Sequence, residues 1–332
     1  MKHEVDLKNK ILRTDLAVEL IDNGGFKKVD DVKITSICLN EDEASKIGKS
    51  MGNYITIEFD DVTDSFNENK VKNILTDELK KILCSKNIKK SDVGLIIGLG
   101  NKKSTPDALG PLVVDKVVVT NHIYMYGSLD DKYNRVCAIT PGVTGETGIE
   151  TGDMIKSIVN EVKPNFVIVI DALAASSIER VNKTIQMTDS GINPGSGVGN
   201  KRKEISEKTL NIPTIAIGIP TVVDAACIVS DTINYIYSHF AYHKQAYYNP
   251  ASKLTMGVNY LKLQKNFKIN NDDKKKILGM IGMLNDEETK RLIYEILTPI
   301  GYNLMVTPKE EDFVLEKLSR IISGSINECM RS

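Results

Sequence analysis

Two aspartates stand where an α/β protein would carry its chemistry. Asp107 follows the apolar run 93–99 after a short loop, and Asp171 comes directly after the apolar run 166–170. In an open α/β sheet, ligands bind in the crevice beyond the carboxyl ends of the strands. Asp107 also fits a structural role, because a carboxylate in the first turn of a helix complements the helix dipole. Asp171 fits a structural role less well, because a carboxylate at the end of an apolar strand needs a partner to offset its desolvation. If this chain has catalytic chemistry, we expect it to rest on these carboxylates.

Two glycine-rich strings accompany these aspartates. The string 98–103 lacks the third glycine of a dinucleotide fingerprint, and the string 195–201 lacks the Gly-Lys-Ser/Thr ending of a phosphate loop. Tight loops of this kind also bring backbone N–H groups close to a substrate carbonyl, which is an oxyanion-type role. We therefore expect them to line a substrate cleft with Gly98, Gly100 and Asn101 from the first string and Gly195, Ser196 and Gly197 from the second.

Histidine and cysteine offer little. The chain has four histidines, and the pair His239 and His243 has no carboxylate between its members, so we expect an ordinary pair and not a metal site. The five cysteines show no Cys-x-x-Cys spacing, which argues against a disulfide framework and a structural zinc site. No Ser-His or Cys-His arrangement has a distinctive local signature.

The elements that would position these residues alternate between strands and helices. The runs 93–99, 166–170 and 214–219 are short, continuous and β-branched, as is typical of strands buried on both faces of a parallel sheet. Helical patterns at 107–118 and 150–162 lie between them, which indicates βαβ crossovers. The alternating segment 54–59 predicts a half-buried strand, antiparallel or at an edge, so the sheet is expected to be mixed.

The chain changes character after residue 243 and reads as helical to its end. The last helix is expected to begin with Thr307 as N-cap, Pro308 at the first position and Glu310 closing a capping box. One stripe of this helix is apolar and is expected to pack on the core: Val314, Leu315, Leu318, Ile321 and Ile322.

Composition excludes several classes of protein. The 332 residues carry 43 Lys and Arg against 44 Asp and Glu, a formal net charge of −1, which removes the electrostatic reason for nucleic acid as a direct partner. Charged residues throughout 1–20 argue against a cleavable signal, and the longest uncharged stretch, 209–223, is too short to span a bilayer. We expect a soluble cytoplasmic protein without a membrane partner.

Ordered strings along nearly the whole chain resemble the germination proteases of endospore-forming bacteria. These strings are 13–19, 98–101 with 105–111, 145–150, 171–175, 177–182, 195–204, 220–225 and 304–309. The resemblance implies an endopeptidase that degrades small acid-soluble spore proteins during germination, a homotetramer made as an inactive precursor in the forespore and spore core. It also implies a fold similar to the hydrogenase maturation endopeptidases: an α/β, phosphorylase/hydrolase-like fold with a mostly parallel, mixed central sheet flanked by helices.

The resemblance gives the N-terminus a role. Substrates of the family are cut after the acidic residue of a stretch like Thr-Glu-Phe/Ile-Ala-Ser-Glu, and residues 14–19, Thr-Asp-Leu-Ala-Val-Glu, are similar position by position. We therefore expect self-cleavage between Asp15 and Leu16. The chain would then consist of a propeptide, 1–15, and a single α/β peptidase domain, 16–332, with a helical C-terminal elaboration from about residue 244.

The family is described as atypical aspartic peptidases, and its two proposed catalytic aspartates match Asp107 and Asp171. Two carboxyl groups that face one water can share a proton, so that the ionised one accepts a proton from the water and the protonated one donates to the peptide carbonyl. Their pKa values belong to the pair, and an acid-favoured activity follows. The residues Thr144, Glu146 and Thr147 are further candidates for the cleft.

One departure from the family bears on metal binding. Members often have His where this chain has Asn193, and in the hydrogenase maturation relatives the corresponding carboxylates bind a metal together with a His. We therefore expect an aspartate pair without a cofactor. Two alternatives stay open: a metallopeptidase in which a divalent metal is held by the same carboxylates, and a non-catalytic binder of spore proteins.

Overall fold

The computed structural model describes residues 14–21, 24–125, 127, 134–196, 202–248, 269–297 and 304–331. The chain divides into two compact units. The larger is made of Arg13–Ala175, Glu179–Val222 and Thr307–Ser332, and the smaller of Met1–Leu12, Ser176–Ile178 and Val223–Val306. The predicted propeptide lies mostly outside the described residues, so the proposed boundary after Asp15 and the single domain beyond it stay predictions.

A mixed sheet forms the centre of the larger unit. Its strands are β1 (Gly25–Val29), β2 (Val32–Leu39), β3 (Gly52–Glu58), β4 (Val93–Gly98), β5 (Arg135–Ile139), β6 (Phe166–Ala175), β7 (Thr184–Thr188) and β8 (Thr214–Asp224). They lie in the order β1-β2-β3-β7-β8-β6-β4-β5. Strand β4 pairs in parallel with β5 and β6, whereas neighbouring strands from β1 through β3 and β7 to β8 pair antiparallel.

Helices accompany these strands along the chain, and the three described helices between residues 225 and 297 belong to the smaller unit. Their bounds are α1 (Glu41–Ile47), α2 (Ser65–Ser85), α3 (Leu109–Val114), α4 (Asn121–Met125), α5 (Thr144–Thr147), α6 (Thr151–Val162), α7 (Glu207–Leu210), α8 (Ala225–Tyr248), α9 (Asn271–Leu278), α10 (Asp286–Leu297) and α11 (Glu311–Cys329). Single 3-10 turns lie at Ala17–Glu19, Thr105–Asp107, Ile178–Arg180 and Ile281–Met283. The prediction of an α/β fold with a mixed sheet flanked by helices is confirmed.

The core explains why the strands read as continuously apolar. Ile96 and Ile168 belong to a cluster that packs on one face of the sheet with side chains of α2, α3 and α11. Leu95 and Val167, their neighbours along the chain, belong to a second cluster with Ile155 of α6. Successive side chains of a strand point to opposite faces, so both faces of β4 and β6 are covered and the ends of these strands are held rigidly.

Two predicted strands run further than expected. The run 166–170 continues as β6 to Ala175, and the run 214–219 continues as β8 to Asp224. The pairing of β6 with β4 ends near the predicted point, at Gly98 and Ile170. Strand β6 itself continues to Ala175, and its neighbour on the other side is β8. Asp171 therefore lies inside a ten-residue strand and not at its tip.

The predicted helix 107–118 is shorter in the structure. Residues Thr105–Asp107 form a 3-10 turn, and α3 starts at Leu109 and ends at Val114. The amide of Asp107 donates to Ser104 and that of Ala108 to Thr105, at 2.8 and 3.2 Å, which is the tighter i to i+3 pattern. The other predicted helix, 150–162, is confirmed as α6 with Glu150 at its N-cap.

The last helix begins at Glu311, so the predicted cap at Thr307 is wrong. The hydroxyl of Thr307 donates to the carbonyl of Thr221 at 3.0 Å and is not used to cap the helix. Glu310 takes the N-cap position without a side-chain cap. The predicted packing stripe is confirmed for Leu315, Leu318, Ile321 and Ile322, which are all buried, while Val314 is half-buried.

The smaller unit is mainly helical. Within it, Ala226 of α8 packs with Ile293 and Tyr294 of α10. The last two residues of β8, Val223 and Asp224, pair antiparallel with β9 (Met305–Val306). In the part of the chain that the structure describes, no helix is long and apolar enough to cross a membrane. All five cysteines are free thiols, as predicted.

Candidate active site

Asp171 is a buried carboxyl group in the middle of β6. Its side chain is only 6% exposed, and its Oδ1 accepts the N–H of Ala172 at 3.0 Å. Burial raises the pKa of Asp171 well above its ordinary range, and the charges of Asp107 and Asp15 raise it further. A carboxyl group in such surroundings holds its proton more tightly than an exposed one and can act as an acid.

Asp107 lies on the loop that follows β4, the strand beside β6. The N–H of Asn101 donates to Oδ2 of Asp107 at 2.9 Å and also to its carbonyl oxygen at 3.0 Å. Burial raises the pKa of Asp107, and the hydrogen bond from Asn101 opposes this rise. Asp107 is half-buried and its carboxylate has an N–H donor, so it is the member of the pair that ionises more readily.

Glycine makes the loop around Asp107 possible. Gly100 has φ +106, and a Cβ there would collide with the carbonyl oxygen of Asp107. Gly98 and Gly110 approach each other so closely that a Cβ on either would collide with the backbone of the facing segment. The first glycine string therefore holds Asp107 in position through its backbone and leaves the carboxyl group accessible.

The loop is fixed to the sheet at two points. At its base, the N–H of Leu99 donates to the carbonyl of Ile170 at 2.8 Å, directly before Asp171. Further along, the hydroxyl of Thr221 on β8 donates to the carbonyl of Pro106 at 2.6 Å. These bonds bring Asp107 toward Asp171, close enough for their charges to act on each other. The pKa of Asp171 is raised more strongly than that of Asp107, and such a difference within a pair lets one carboxyl group act as the acid and the other as the base.

The segment made of residues 14–19, called segment 14–19 below, lies against the same strand. The N–H of Asp15 donates to the carbonyl of Ala174 at 2.9 Å, and the N–H of Ala174 donates to Oδ2 of Asp15 at 2.9 Å. The hydroxyl of Ser196 donates to the other oxygen, Oδ1, at 2.6 Å. The carboxylate of Asp15 is thus held by a backbone N–H and a hydroxyl, three residues along the strand from Asp171.

Gln186 of β7 holds the backbone on both sides of Leu16. Its Nε2 donates to the carbonyl oxygen of Asp15 at 2.9 Å, and its Oε1 accepts the N–H of Ala17 at 2.7 Å. Leu16 and Ala17 are completely buried. The peptide bond between Asp15 and Leu16 is therefore the part of segment 14–19 that is held most closely.

Two cations accompany the acidic residues of segment 14–19. Nζ of Lys49 donates to the carbonyl of Thr14 at 3.2 Å. Burial lowers the pKa of Lys49, and the charges of Asp15 and Glu19 oppose this. Arg180 forms an ion pair with Glu19 at 3.4 Å between Nε and Oε1. The site thus offers one cation to each acidic residue of the segment.

A pocket of about 50 Å³ lies beside Asp15 and is lined by Lys49, Leu173, Gln186 and Ser196, among others. Asn193 also lines it, and its carbonyl accepts the N–H of Ser196 at 3.2 Å. Asn193 therefore lies beside Asp15 and next to Ser196, which binds the Asp15 carboxylate.

The other predicted cleft residues that the structure describes lie in two places. Gly195 has φ +73 and forms the turn before Ser196, whereas Gly197 lies outside the described residues. Thr144, Glu146 and Thr147 form the short helix α5. Glu146 reaches Lys103 in the Asp107 loop at 3.1 Å, and the hydrogen bonds described for the two threonines stay within residues 143–150.

The sequence did not predict three of the groups that contact segment 14–19: Lys49, Gln186 and the N–H of Ala174. A lone Gln inside the strand Thr-Ile-Gln-Met-Thr was the one visible signal, because a buried primary amide needs partners. Lys49 stands just after the C-cap of α1 and has no local signature.

Metal ligands are not grouped in the described residues. No set of three or more His, Cys, Asp and Glu side chains among them could hold a metal ion. His239 and His243 lie on α8 with their Nε2 atoms 3.1 Å apart, as an exposed pair in the smaller unit.

Comparison with known proteins gives one consistent answer. A family model described as germination protease matches residues 12–332. The germination proteases of Bacillus cytotoxicus and Priestia megaterium are each 45% identical to the chain over 99% of it and 96% of their own length. That of Oceanobacillus iheyensis is 44% identical over 96% of the chain and 94% of its own length. The matched range, 12–332, contains both aspartates, the glycine loops and segment 14–19.

A solved structure is also similar in part. It is the crystal structure of a NiFe hydrogenase maturation protease, HycI, from Thermococcus kodakarensis. Its sequence is 17% identical, the TM-score is 0.27, and the match covers 43% of this chain and 80% of that one.

Proposed function

The chain belongs to the germination protease family and is an endopeptidase of spore germination, and we propose that it is made as a precursor that cleaves its own Asp15–Leu16 bond. One observation carries this proposal. The backbone of Asp15 is hydrogen-bonded to Ala174 through its N–H and to Gln186 through its carbonyl oxygen, and the charge of Asp15 raises the pKa of the buried Asp171.

Asp107 and Asp171 divide the chemistry in this proposal. Asp107, ionised, accepts a proton from water while the water oxygen bonds to the carbonyl carbon of Asp15. Asp171 gives its proton to the carbonyl oxygen, which yields a neutral gem-diol. In the second step one hydroxyl returns its proton to Asp171, the nitrogen of Leu16 takes the proton from Asp107, and the C–N bond breaks. The pair ends in its starting state.

Only the singly protonated pair is competent, which makes the reaction pH-dependent. Activity falls as pH rises through the pKa of Asp171, because the acid is lost, and falls as pH drops through that of Asp107, because the base is lost. Burial raises both pKa values, so both limits of this window lie at higher pH than those of carboxyl groups with ordinary pKa values.

The precursor would be inactive toward other proteins because its own segment fills the cleft. Once residues 1–15 leave, the groups that hold Thr14 and Asp15 become free for another chain of similar sequence. We propose small acid-soluble spore proteins as those substrates, cut after an acidic residue in a Thr-acidic-apolar-Ala pattern. Ser196, the N–H of Ala174 and Lys49 would read the acidic residue.

The experiment follows the N-terminus of the purified full-length chain. Incubated between about pH 4 and pH 8, it is expected to lose 15 residues and expose Leu16, measured by intact mass and N-terminal sequencing. A first-order rate that does not change on dilution would support cleavage within one chain. A chain that keeps its N-terminus throughout this range would refute the proposal.

Further parts of the proposal need their own measurements. Cleavage of a peptide containing Thr-Glu-Ile-Ala-Ser-Glu by the processed chain, unchanged by exhaustive chelation, would support a metal-free aspartate pair, whereas loss of activity on chelation would favour the metallopeptidase. Binding of the peptide without cleavage would favour a non-catalytic binder. We also propose a homotetramer located in the forespore and spore core, and light scattering of the purified chain tests the assembly.

A further inference from the structure

Gln186 contacts the candidate scissile peptide at two points. Its Nε2 donates to the carbonyl of Asp15 at 2.9 Å, and its Oε1 accepts the N–H of Ala17 at 2.7 Å. Leu16, between them, is extended, with φ −88 and ψ 119. In an extended chain the C=O of one residue and the N–H two residues on face the same side, so a single primary amide can bind both, as a neighbouring strand would.

We infer that Gln186 is a catalytic residue, whose Nε2–H stabilises the oxyanion that forms on the Asp15 carbonyl when water attacks. This inference rests on the proposed self-cleavage at Asp15–Leu16. As the water oxygen bonds to the carbonyl carbon, electrons move onto the carbonyl oxygen until the proton of Asp171 arrives. A hydrogen bond to an ionised acceptor is about twice as strong as one to a neutral acceptor. The donor therefore stabilises the transition state more than the bound peptide.

The carbonyl oxygen has room for both donors. It carries two lone pairs, one for the proton of Asp171 and one for the N–H of Gln186. The second contact, from Ala17 to Oε1, fixes the orientation of the amide, so that Nε2 and not Oε1 faces the carbonyl. A donor held in place before the reaction costs no reorganisation when charge develops.

The surroundings of Gln186 argue against a purely structural role. The side chain is only 6% exposed, and its strand position faces Thr56 on β3 and Gly218 on β8. An apolar residue would fill such a position without the desolvation cost of an amide. Among the described residues, the hydrogen bonds of this amide both go to segment 14–19. Gln186 is thus satisfied by segment 14–19, and its Nε2 is left to receive another carbonyl when residues 1–15 depart.

The contacts also separate catalysis from recognition. Gln186 binds backbone atoms only, so it would serve any peptide in the cleft whatever its side chains. Ser196 and Ala174 bind the carboxylate of Asp15 and would set the preference for an acidic residue. A Gln186 variant should therefore lose rate without changing which bond is cut.

The test uses the full-length chain and Gln186→Leu, which removes the donor and the acceptor at nearly constant volume. The first-order rate of losing residues 1–15 is expected to fall at least about 100-fold, as for other single oxyanion donors. Thr56→Val is the matched control, because it replaces a buried polar side chain on the facing strand whose hydroxyl forms no hydrogen bond. It should process at the parent rate.

Gln186→Glu gives a second result, which a purely structural role would not produce. This variant differs from the parent only by one oxygen in place of the amide nitrogen, so it keeps the test available if Gln186→Leu fails to fold. An ionised Glu cannot donate to the carbonyl, whereas a protonated Glu can. Its rate, divided by the parent rate at the same pH, should be at least about 100-fold low at pH 7 and recover about tenfold or more as the pH falls. A ratio that stays constant with pH, or a folded Gln186→Leu chain that processes at the parent rate, overturns the inference alone. A parent chain that keeps residues 1–15 overturns the proposed function and the inference with it.

Discussion

Asp15 and Ala174 exchange two hydrogen bonds of 2.9 Å, one from the Asp15 N–H to the Ala174 carbonyl and one from the Ala174 N–H to the Asp15 carboxylate. This pairing fixes the position of the Asp15 side chain as well as its backbone. Because Ala174 lies on β6 three residues beyond Asp171, the pairing also brings the Asp15 charge to bear on the buried acid. The candidate substrate segment therefore raises the pKa of Asp171, the acid proposed to take part in cutting it.

Replacing either aspartate of the pair should abolish processing. Asp171→Asn lacks the acid and Asp107→Asn lacks the base, and loss of one general acid or base costs about 10²–10⁴-fold in rate. Loss of residues 1–15 is measured by intact mass over time. The control is Asp115→Asn, because Asp115 is exposed and pairs with Lys102 on the surface. Normal processing by either active-site variant would rule out the pair as the catalytic groups.

Removing the charge of Asp15 should move the alkaline limit of processing to lower pH. The Asp15 carboxylate is one of the charges that raise the pKa of Asp171. In Asp15→Asn that pKa falls, so Asp171 loses its proton, and processing its acid, at a lower pH than in the parent. The rate of processing is measured across the pH range for both chains. An alkaline limit that stays in place, or that moves upward, contradicts the charge coupling.

Gly100→Ala should disable the site by displacing Asp107. Gly100 has φ +106, and an added Cβ would collide with the Asp107 carbonyl. Strain of this kind costs about 1–3 kcal/mol, so the melting temperature should fall by several degrees and processing should slow together with it. Gly25→Ala is the comparison, because a Cβ there meets nothing within 4 Å. Equal stability and processing in the two variants would show that the Asp107 loop tolerates the side chain.

Lys49 should favour an acidic residue at position 15. Its partly buried ammonium group interacts with the charges of Asp15 and Glu19 and donates to the Thr14 carbonyl. In a double-mutant cycle of Lys49→Met and Asp15→Asn, the coupling measured from processing rates is expected to be about 0.5–3 kcal/mol. Lys46→Met, at an exposed lysine in the last turn of α1, should show no coupling with Asp15→Asn. Additive effects at position 49 would mean that Lys49 does not read the carboxylate.

The sequence predicted the parts of the molecule that depend on local pattern. Continuous β-branched runs are typical of strands covered on both faces, and β4 and β6 are covered in that way by the clusters around Ile96 and Val167. Ligands of open α/β sheets bind beyond the carboxyl ends of the strands, and neighbouring parallel strands end at the same edge of the sheet. This rule predicted a site at Asp107 and Asp171, and the charges of these two residues do interact in the structure.

The rest depends on contacts between distant parts of the chain. Gln186 lies on β7 in the antiparallel half of the sheet, and Lys49 follows α1, and neither position can be related to Asp15 without the strand order. The start of the last helix was mispredicted for the same reason. Thr307 has the right type and spacing for a cap, but its hydroxyl donates to Thr221, 86 residues earlier.

Glu311 should lower the stability of the larger unit at neutral pH. It lies at the start of α11, only 2% exposed, with its carboxylate hydrogen-bonded by the side-chain amide of Asn182. Burial raises the pKa of Glu311, and the hydrogen bond from Asn182 opposes this rise. The folded chain thus binds this proton more tightly than the unfolded chain, so the contribution of Glu311 to stability is complete below its unfolded pKa and is lost as pH rises through the folded one.

Glu311→Gln removes this titration and keeps an oxygen that can accept from Asn182. The variant should match the parent in stability below about pH 4, where Glu311 is protonated in both states. At pH 7 it should be more stable by about 0.5–2 kcal/mol, the usual size of a single stabilising substitution. Urea unfolding at the two pH values measures both quantities, and Glu310→Gln, at the exposed neighbouring residue, is the control. A loss of stability at pH 7 would show instead that the ionised carboxylate gains more from Asn182 than its burial costs.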